Sequence, residues 1–487
     1  MIEINKEKLR DKITACWIGK NIGGTMGAPF EGTRKLLDIS GFSTPPNKVL
    51  PNDDLDLQLL WLKVIEDYRL ECINEKILGE YWVSYITGQW NEYGISKLNL
   101  KDGLLPPLSG SYNNDWKNSN GAWIRTEIWS CIAPACPNIA AQYAKMDAMV
   151  DHGAGEGTYA AIFIAAIESA AFIVSDIRVL IDIGLSKIPK ESRTARAIRL
   201  AINCYENNMR WEDARNAILE EVSDIGDGWF EAPGNVAYVI IGLLYGEGDF
   251  KKSMITAINC GDDTDCTAGT VGSILGIIGG TKCLPKDLVD HIGDSIVSCS
   301  LNLGLDYRFP DSCKSLTERV YAQIMNVVRI HNANITLTDG EEYISDNIVN
   351  DFMVYSDELK LTHDGNYFDI DLIHSKVRIC YESNLEVSPS SDFKLKIIVF
   401  GNDRLGNSPY NISLRWLLPD GWTVTSPSRH YQNARTWRYA AQSEFEAILH
   451  IGEKVEPINR IILEMVFDGR PTIGLIPINV IGGNSCE

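Results

Sequence analysis

The chain has no uninterrupted apolar run long enough to span a bilayer, which takes about 20 consecutive apolar residues. Its opening residues, MIEINKEKLRDKI, lack the apolar stretch of a secretory signal. A cytoplasmic protein with no membrane partner is the expectation. Paired cysteines are missing too: the 12 cysteines are scattered singly, at positions such as Cys16, Cys72, Cys204 and Cys380. With no CxxC pair and no Cys/His pattern of zinc spacing, a disulfide scaffold and a structural zinc module are both disfavoured. The cysteines read instead as buried thiols acting as small apolar side chains. Positive charge is scarce, with 45 Lys and Arg against 65 Asp and Glu and a net charge of −20. Broad phosphate neutralisation, and with it nucleic-acid binding, is therefore disfavoured, as is adhesion to an anionic membrane. An anionic ligand would have to draw its positive charge from metal ions or backbone N–H groups.

What is present is enough apolar material, 45% of 487 residues, for about two or three folded domains. From Lys6 to about Ile330 the pattern is helical. Apolar residues recur at three- and four-residue spacing, as in Leu60, Val64 and Tyr68, which predicts one buried stripe per helix. The spacing predicts helices over Asp56–Leu70, Ala140–Val150, Thr158–Val174, Ala195–Asn207, Trp211–Ser223, Val236–Tyr245, Phe250–Asn259 and Ser315–Val328. The alanine-rich run AAIFIAAIESAAFIV is apolar nearly all round and is expected to lie centrally. After about Asn332, alternating and β-branched runs are punctuated by turns such as Asn402-Asp403-Arg404, Pro419-Asp420-Gly421 and Asp468-Gly469-Arg470-Pro471. The expected fold is multi-domain α plus β. An all-helical domain over 1–330 is followed by an antiparallel, Ig-like β-sandwich over 331–487, read as an accessory module.

Four segments of the helical part carry chemistry. Asn52-Asp53-Asp54-Leu55-Asp56 stands immediately before a strongly periodic helix. Asn and Asp cap helices well and negative charge suits a first turn, by about 0.3–1 kcal/mol, so capping alone explains part of it. Three carboxylates in four residues exceed that need, repel one another, and suit a hard divalent cation such as Mg2+. Gly261-Asp262-Asp263-Thr264-Asp265-Cys266 follows a helix and runs into the small-residue segment GTVGSILGIIGG. It reads either as a second cap or as an acidic loop around a cation; the EF-hand spacing is absent. A glycine-rich stretch, Gly19 to Gly27, leads to Glu31, the one residue there with acid/base chemistry; close helix packing is its alternative role. Ser119-Asn120-Gly121 precedes a short helix and could offer N–H groups to phosphate or be an ordinary loop, and His152 reads as structural when taken alone.

In order and together, these segments resemble the ADP-ribosylglycohydrolase family over about Leu9 to Ile292. The β part lies outside the resemblance. The family's Thr-Asp-Asp and Asp-Thr-Asp motifs, which hold two Mg2+ ions, match Asn52-Asp53-Asp54 and Asp263-Thr264-Asp265. Its Gly-Asp-Ala-Leu-Gly-like segment and following Glu match Gly23 to Gly27 and Glu31. Its phosphate loop and ligand-contacting His match Ser119 to Gly121 and His152. Three positions depart: Asn52 stands for Thr or Ser, Gly24 for Asp, and Cys266, a soft and poor Mg2+ ligand, for Thr or Ser.

The resemblance implies a Mg2+-dependent hydrolase cleaving the bond between ADP-ribose, or a related ribosyl group, and an acceptor. Its substrate would be a small-molecule or protein-linked ADP-ribosyl group. Asn52, Asp53, Asp54, Asp263, Asp265 and Cys266 would be metal ligands, with Glu31, Asp54 and Asp263 catalytic. Ser119, Asn120, Gly121 and His152 would contact substrate. The alternatives are a hydrolase of the same fold acting on a simpler N-riboside or sugar conjugate, and a non-catalytic nucleotide-binding descendant.

Overall fold

Asn5 starts the first helix, Lys6–Gly27, by accepting the N–H groups of Glu7 and Lys8 on its side-chain oxygen. The computed structural model describes residues 2–226, 230–304, 307–361, 366–401, 409–432 and 442–483. They form two compact units, Met1–Lys97 with Asn113–Leu361, and Leu98–Tyr112 with Thr362–Glu487.

In the first unit the Lys6–Gly27 helix packs along Thr264–Gly279. The glycine-rich stretch lies inside this helix and closes the gap between the two backbones. A Cβ on Gly23 would come within 2.3 Å of the Ala268 carbonyl carbon, and one on Gly27 within 2.3 Å of the Thr264 carbonyl oxygen. Helical glycine costs about 0.5–1 kcal/mol relative to alanine, a cost offset here by backbone contact no larger residue allows. The alanine-rich helix Glu156–Ala171 is buried from Gly157 onward, as an all-round apolar helix should be.

Helices occur at every expected position, with ends shifted by a few residues; Asp53–Asp67, Pro137–Ala148 and Arg193–Glu206 are examples. One expectation needs correction. Ser315–Val328 is two helices, Cys313–Tyr321 and Ile324–Ile330. The chain turns at Ala322 and Gln323, where the Gln323 N–H closes a tight bond to the Val320 carbonyl at 3.0 Å.

Periodicity places a boundary at 330, whereas the first compact unit runs on to Leu361. Strand Ile335–Thr338 pairs in parallel with Ile2–Asn5, Ile2 opposite Ile335 and Ile4 opposite Leu337, with Tyr343–Ile344 on the other side of Ile2–Asn5.

The second unit has two five-stranded sheets. One runs Tyr367–Asp371, Ser375–Tyr381, Asp392–Gly401, Gln442–His450, Thr423–Thr425; the other Arg429–Gln432, Tyr410–Leu417, Ile458–Phe467, Ile473–Gly482, Glu386–Val387. Pairing is antiparallel except between the last two strands. Alternation sends Leu395, Ile397 and Val399 of one sheet and Leu463, Ile476 and Ile478 of the other into one core. Leu104 and Leu108 join that core from the excursion Leu98–Tyr112, which Asn479 fastens by donating to the Gly103 carbonyl at 2.7 Å. The turn at 402–404 lies outside the described residues.

Candidate active site

Two helix starts in the first unit converge. At Asp53–Asp67 the cap is Asn52, in extended conformation, with its Oδ1 accepting the Asp54 N–H at 2.8 Å. The side chain that caps this helix is thus Asn52 and not an aspartate. Asp56 is committed elsewhere: its Oδ2 accepts the N–H groups of Cys299 at 2.8 Å and Ser300 at 2.6 Å, and Ser298 also donates to it. Asp53 and Asp54 are left over. Asp53 Oδ2 accepts the Tyr93 hydroxyl at 3.2 Å, and Asp54 is fully buried.

At Thr264–Gly279 the chain enters through Gly261 and Asp262, both at positive φ, +78° and +65°. A Cβ on Gly261 would also meet the Thr33 and Lys35 carbonyl oxygens within 2.5 Å, so only glycine fits there. Asp262 turns away, accepting Asn235 Nδ2 at 3.0 Å. Asp263 holds the cap position but makes no capping bond with its side chain. Its Oδ2 accepts Asn120 Nδ2 at 2.7 Å instead.

These starts bring together two groups of side chains with the spacing to hold a metal ion. One oxygen each from Asp54 and Asp265 and the Cys266 sulfur lie within 4.8 Å of one another, as do oxygens of Glu31, Asp263 and Asp265. Asp265 belongs to both. Asp263 and Asp265 are only 4% and 6% exposed, yet Oδ1 of each accepts no hydrogen bond. Buried carboxylate oxygens without donors are costly unless a cation completes them, and all-carboxylate oxygen sets suit a hard divalent ion. Asp53 stands outside both sets, and the Asn52 oxygen is already engaged by Asp54.

The electrostatics agree with that fit. Burial and then Asp54 push Asp53 up to about 7. Burial and the charges of Glu31 and Asp53 do the same to Asp265. Asp263 is pushed well up, by burial and then by Asp265. Glu31, at the exposed rim, rises to about 7 through desolvation of its carboxyl end and the charges of Asp53 and Asp54. So many carboxyls cannot ionise together without positive charge.

Part of that charge is built in. Lys20, wholly buried on the first helix, places Nζ 3.1 Å from Asp54 Oδ2 and 2.8 Å from Glu127 Oε1, and donates to the Ile124 carbonyl at 2.6 Å. Glu127 also accepts Ser273 Oγ at 3.0 Å and the Gln58 amide. Behind it, Glu168 accepts Thr126 and Ser130 hydroxyls at 3.0 Å each and is pushed well up by burial and by Glu127.

Asp53, Asp263, Asp265, Cys266 and Glu31 line a cleft open to solvent, together with Trp90, Glu92, Tyr93 and the Ser119–Gly121 loop. Ser119 Oγ lies 2.9 Å from Glu92 Oε2 and 3.1 Å from His152 Nε2. Gly121 leaves room for Glu92, since a Cβ there would stand 2.0 Å from Oε1. His152 is wholly buried and reaches the cleft through Ser119. Behind it Asp151, 3.0 Å from Nδ1, is held below the usual carboxylate range chiefly by Arg125, against the effect of its burial. Arg125 ties Asp151 and Asp147 to the loop, donating to the Gly121 carbonyl at 2.5 Å.

The ADP-ribosylglycohydrolase family model matches residues 5–324. The chain belongs to that family. A solved structure described as an ADP-ribosylglycohydrolase-related protein complex is 17% identical, covering 66% of this chain and 99% of its own, with a TM-score of 0.41. No curated protein matches. Membership brings a hydrolase of glycosidic bonds as the general activity. Among the described residues, no helix is long and apolar enough to cross a membrane.

In this ADP-ribosylglycohydrolase-family chain, sequence reasoning missed Lys20, Trp90, Glu92 and Tyr93. A lone lysine inside a glycine-rich helix was a usable signal for the first. The aromatic–acid cluster Trp90-Asn91-Glu92-Tyr93 was one for the rest.

Proposed function

We propose that the cleft hydrolyses the bond between ADP-ribose, or a related ribosyl group, and its acceptor, with two divalent cations, Mg2+ in the first instance. The observation that carries this reading is the pair of ligand sets joined at Asp265, with buried carboxylate oxygens lacking donors. Asp54, Asp265 and Cys266 would hold one ion, and Glu31, Asp263 and Asp265 the other. Such a pair supplies Lewis-acid polarisation of ribose oxygens and a water acidified towards neutrality.

The chain's own groups do the rest. Glu31, the one member of the two sets at the exposed rim of the cleft, positions the attacking water. Remaining carboxylate charge stabilises an oxocarbenium-like anomeric carbon. Asn120 and Tyr93 fix Asp263 and Asp53 by hydrogen bonds. Glu92 and Ser119 meet the sugar hydroxyls, and His152 orients Ser119. Trp90, 48% exposed and stacked on Tyr93, offers a flat apolar face to the nucleotide.

Incubation with ADP-ribosyl-arginine, ADP-ribosyl-serine and free nucleosides, each with and without Mg2+, tests this. Metal-dependent release of ADP-ribose, abolished in Asp263→Asn, is expected. Turnover of nucleosides alone would move the substrate to simple N-ribosides, and no turnover of any of them would contradict the reading.

A further inference from the structure

The two ligand sets differ in kind. Glu31, Asp263 and Asp265 offer oxygen only, whereas Asp54 and Asp265 are joined by the sulfur of Cys266. Cys266, 6% exposed on the first turn of Thr264–Gly279, places Sγ 3.3 Å from Asp54 Oδ1. That spacing is an S–H···O hydrogen bond. It also lies within a few tenths of an ångström of the edge between two ligands of one tetrahedral ion: a metal–sulfur bond of about 2.3 Å and a metal–oxygen bond of about 2.0–2.2 Å separate S and O by about 3.5–3.7 Å.

Two further observations point to a ligand there. Asp265 Oδ1, buried beside Cys266, accepts no hydrogen bond. Lys20, which also pairs with Glu127 at 2.8 Å, holds Asp54 by Oδ2 and leaves Oδ1 turned to the sulfur. A thiolate added to two carboxylates in this buried place then needs the charge of a metal ion. Hard ions gain little from sulfur, while ions of the zinc class gain much.

We propose that Asp54, Asp265 and Cys266 form a site for a thiophilic divalent ion, of the Zn2+ or Co2+ class, beside a hard-ion site at Glu31, Asp263 and Asp265. The inference rests on the dinuclear reading above and deepens it by assigning different ions to the two halves. On binding, the S–H bond breaks, the sulfur–metal bond forms and the proton leaves to solvent, with no change of oxidation state.

The test uses the full chain, stripped with a chelator and titrated with Co2+. Wild type should show a sulfur-to-cobalt charge-transfer band in the near ultraviolet, absent from Cys266→Ser. The variant should still bind Mn2+ by electron paramagnetic resonance, which also reports that it is folded. Zn2+ affinity should fall in the variant by at least the roughly 10–100-fold typical of outer-shell changes. X-ray absorption of Zn2+-loaded wild type, which needs no variant, should show one sulfur ligand. Co2+ bound without the band, or a band that persists in Cys266→Ser, overturns the mixed site and leaves the dinuclear reading standing. A chain that binds no divalent ion overturns both.

Discussion

The amide nitrogen of Asn52 occupies the space that a side chain at Gly24 would fill: a Cβ there would stand 1.8 Å from Asn52 Nδ2. Two of the departures from the family pattern are therefore one adjustment. Removing the side chain at 24 makes room for a longer residue at 52, whose Oδ1 caps the helix carrying Asp53 and Asp54. Asn52 thus orients Asp53 and Asp54 through the backbone.

Gly24→Ala should drive the Asn52 amide from its cap and cost about 1–3 kcal/mol, the usual range for overpacking. Asn52→Ser, which keeps a capping oxygen on a shorter side chain, should recover most of that loss in the double variant. Urea denaturation of the two singles and the double closes the cycle. Additive losses would show that the two positions are independent.

Lys20→Met should be among the most destabilising single changes in the helical unit, by about 3–5 kcal/mol. It leaves Asp54 and Glu127 buried without the ammonium that lies within 3.1 Å of both. Denaturant unfolding measures it. A loss below about 1 kcal/mol, the scale of a surface pair, would show that the ammonium is not needed there.

The site was only half legible in the sequence. Asp53-Asp54 and Asp263-Thr264-Asp265 stand out because local spacing groups them. Asp56 and Asp262 look equivalent in sequence, and only folding reveals that their oxygens are spent on Ser298–Ser300 and on Asn235. Glu92 enters through Ser119, and Lys20 through Asp54 and Glu127, contacts between residues far apart in the chain. The same limit hid the parallel pairing of Ile2–Asn5 with Ile335–Thr338 and the leucines that Leu98–Tyr112 lends to the β core. Periodicity sees elements one at a time, and these features exist only between elements.

Stabilisation by divalent metal should grow with pH. Asp53, Asp54, Asp265 and Glu31 are raised to about 7 in the folded chain, so between their ordinary values and 7 the folded state binds more protons than the unfolded one. Chelated protein therefore loses stability from these groups as pH rises through that window. A bound cation must displace their protons, so it binds weakly at about pH 5 and tightly at about pH 8. Calorimetric Tm with and without Mg2+ should show a gap that widens with pH, accompanied by proton release on binding. A gap independent of pH would place the ion elsewhere.

Metal counting on Asp265 variants addresses the shared ligand itself. Wild type, dialysed to equilibrium against divalent metal and analysed by plasma mass spectrometry, should hold two ions per chain. Glu31→Gln, which touches only one set, should keep one, and Asp265→Asn, which belongs to both, should lose both. An Asp265→Asn chain that keeps the full wild-type complement would contradict the account.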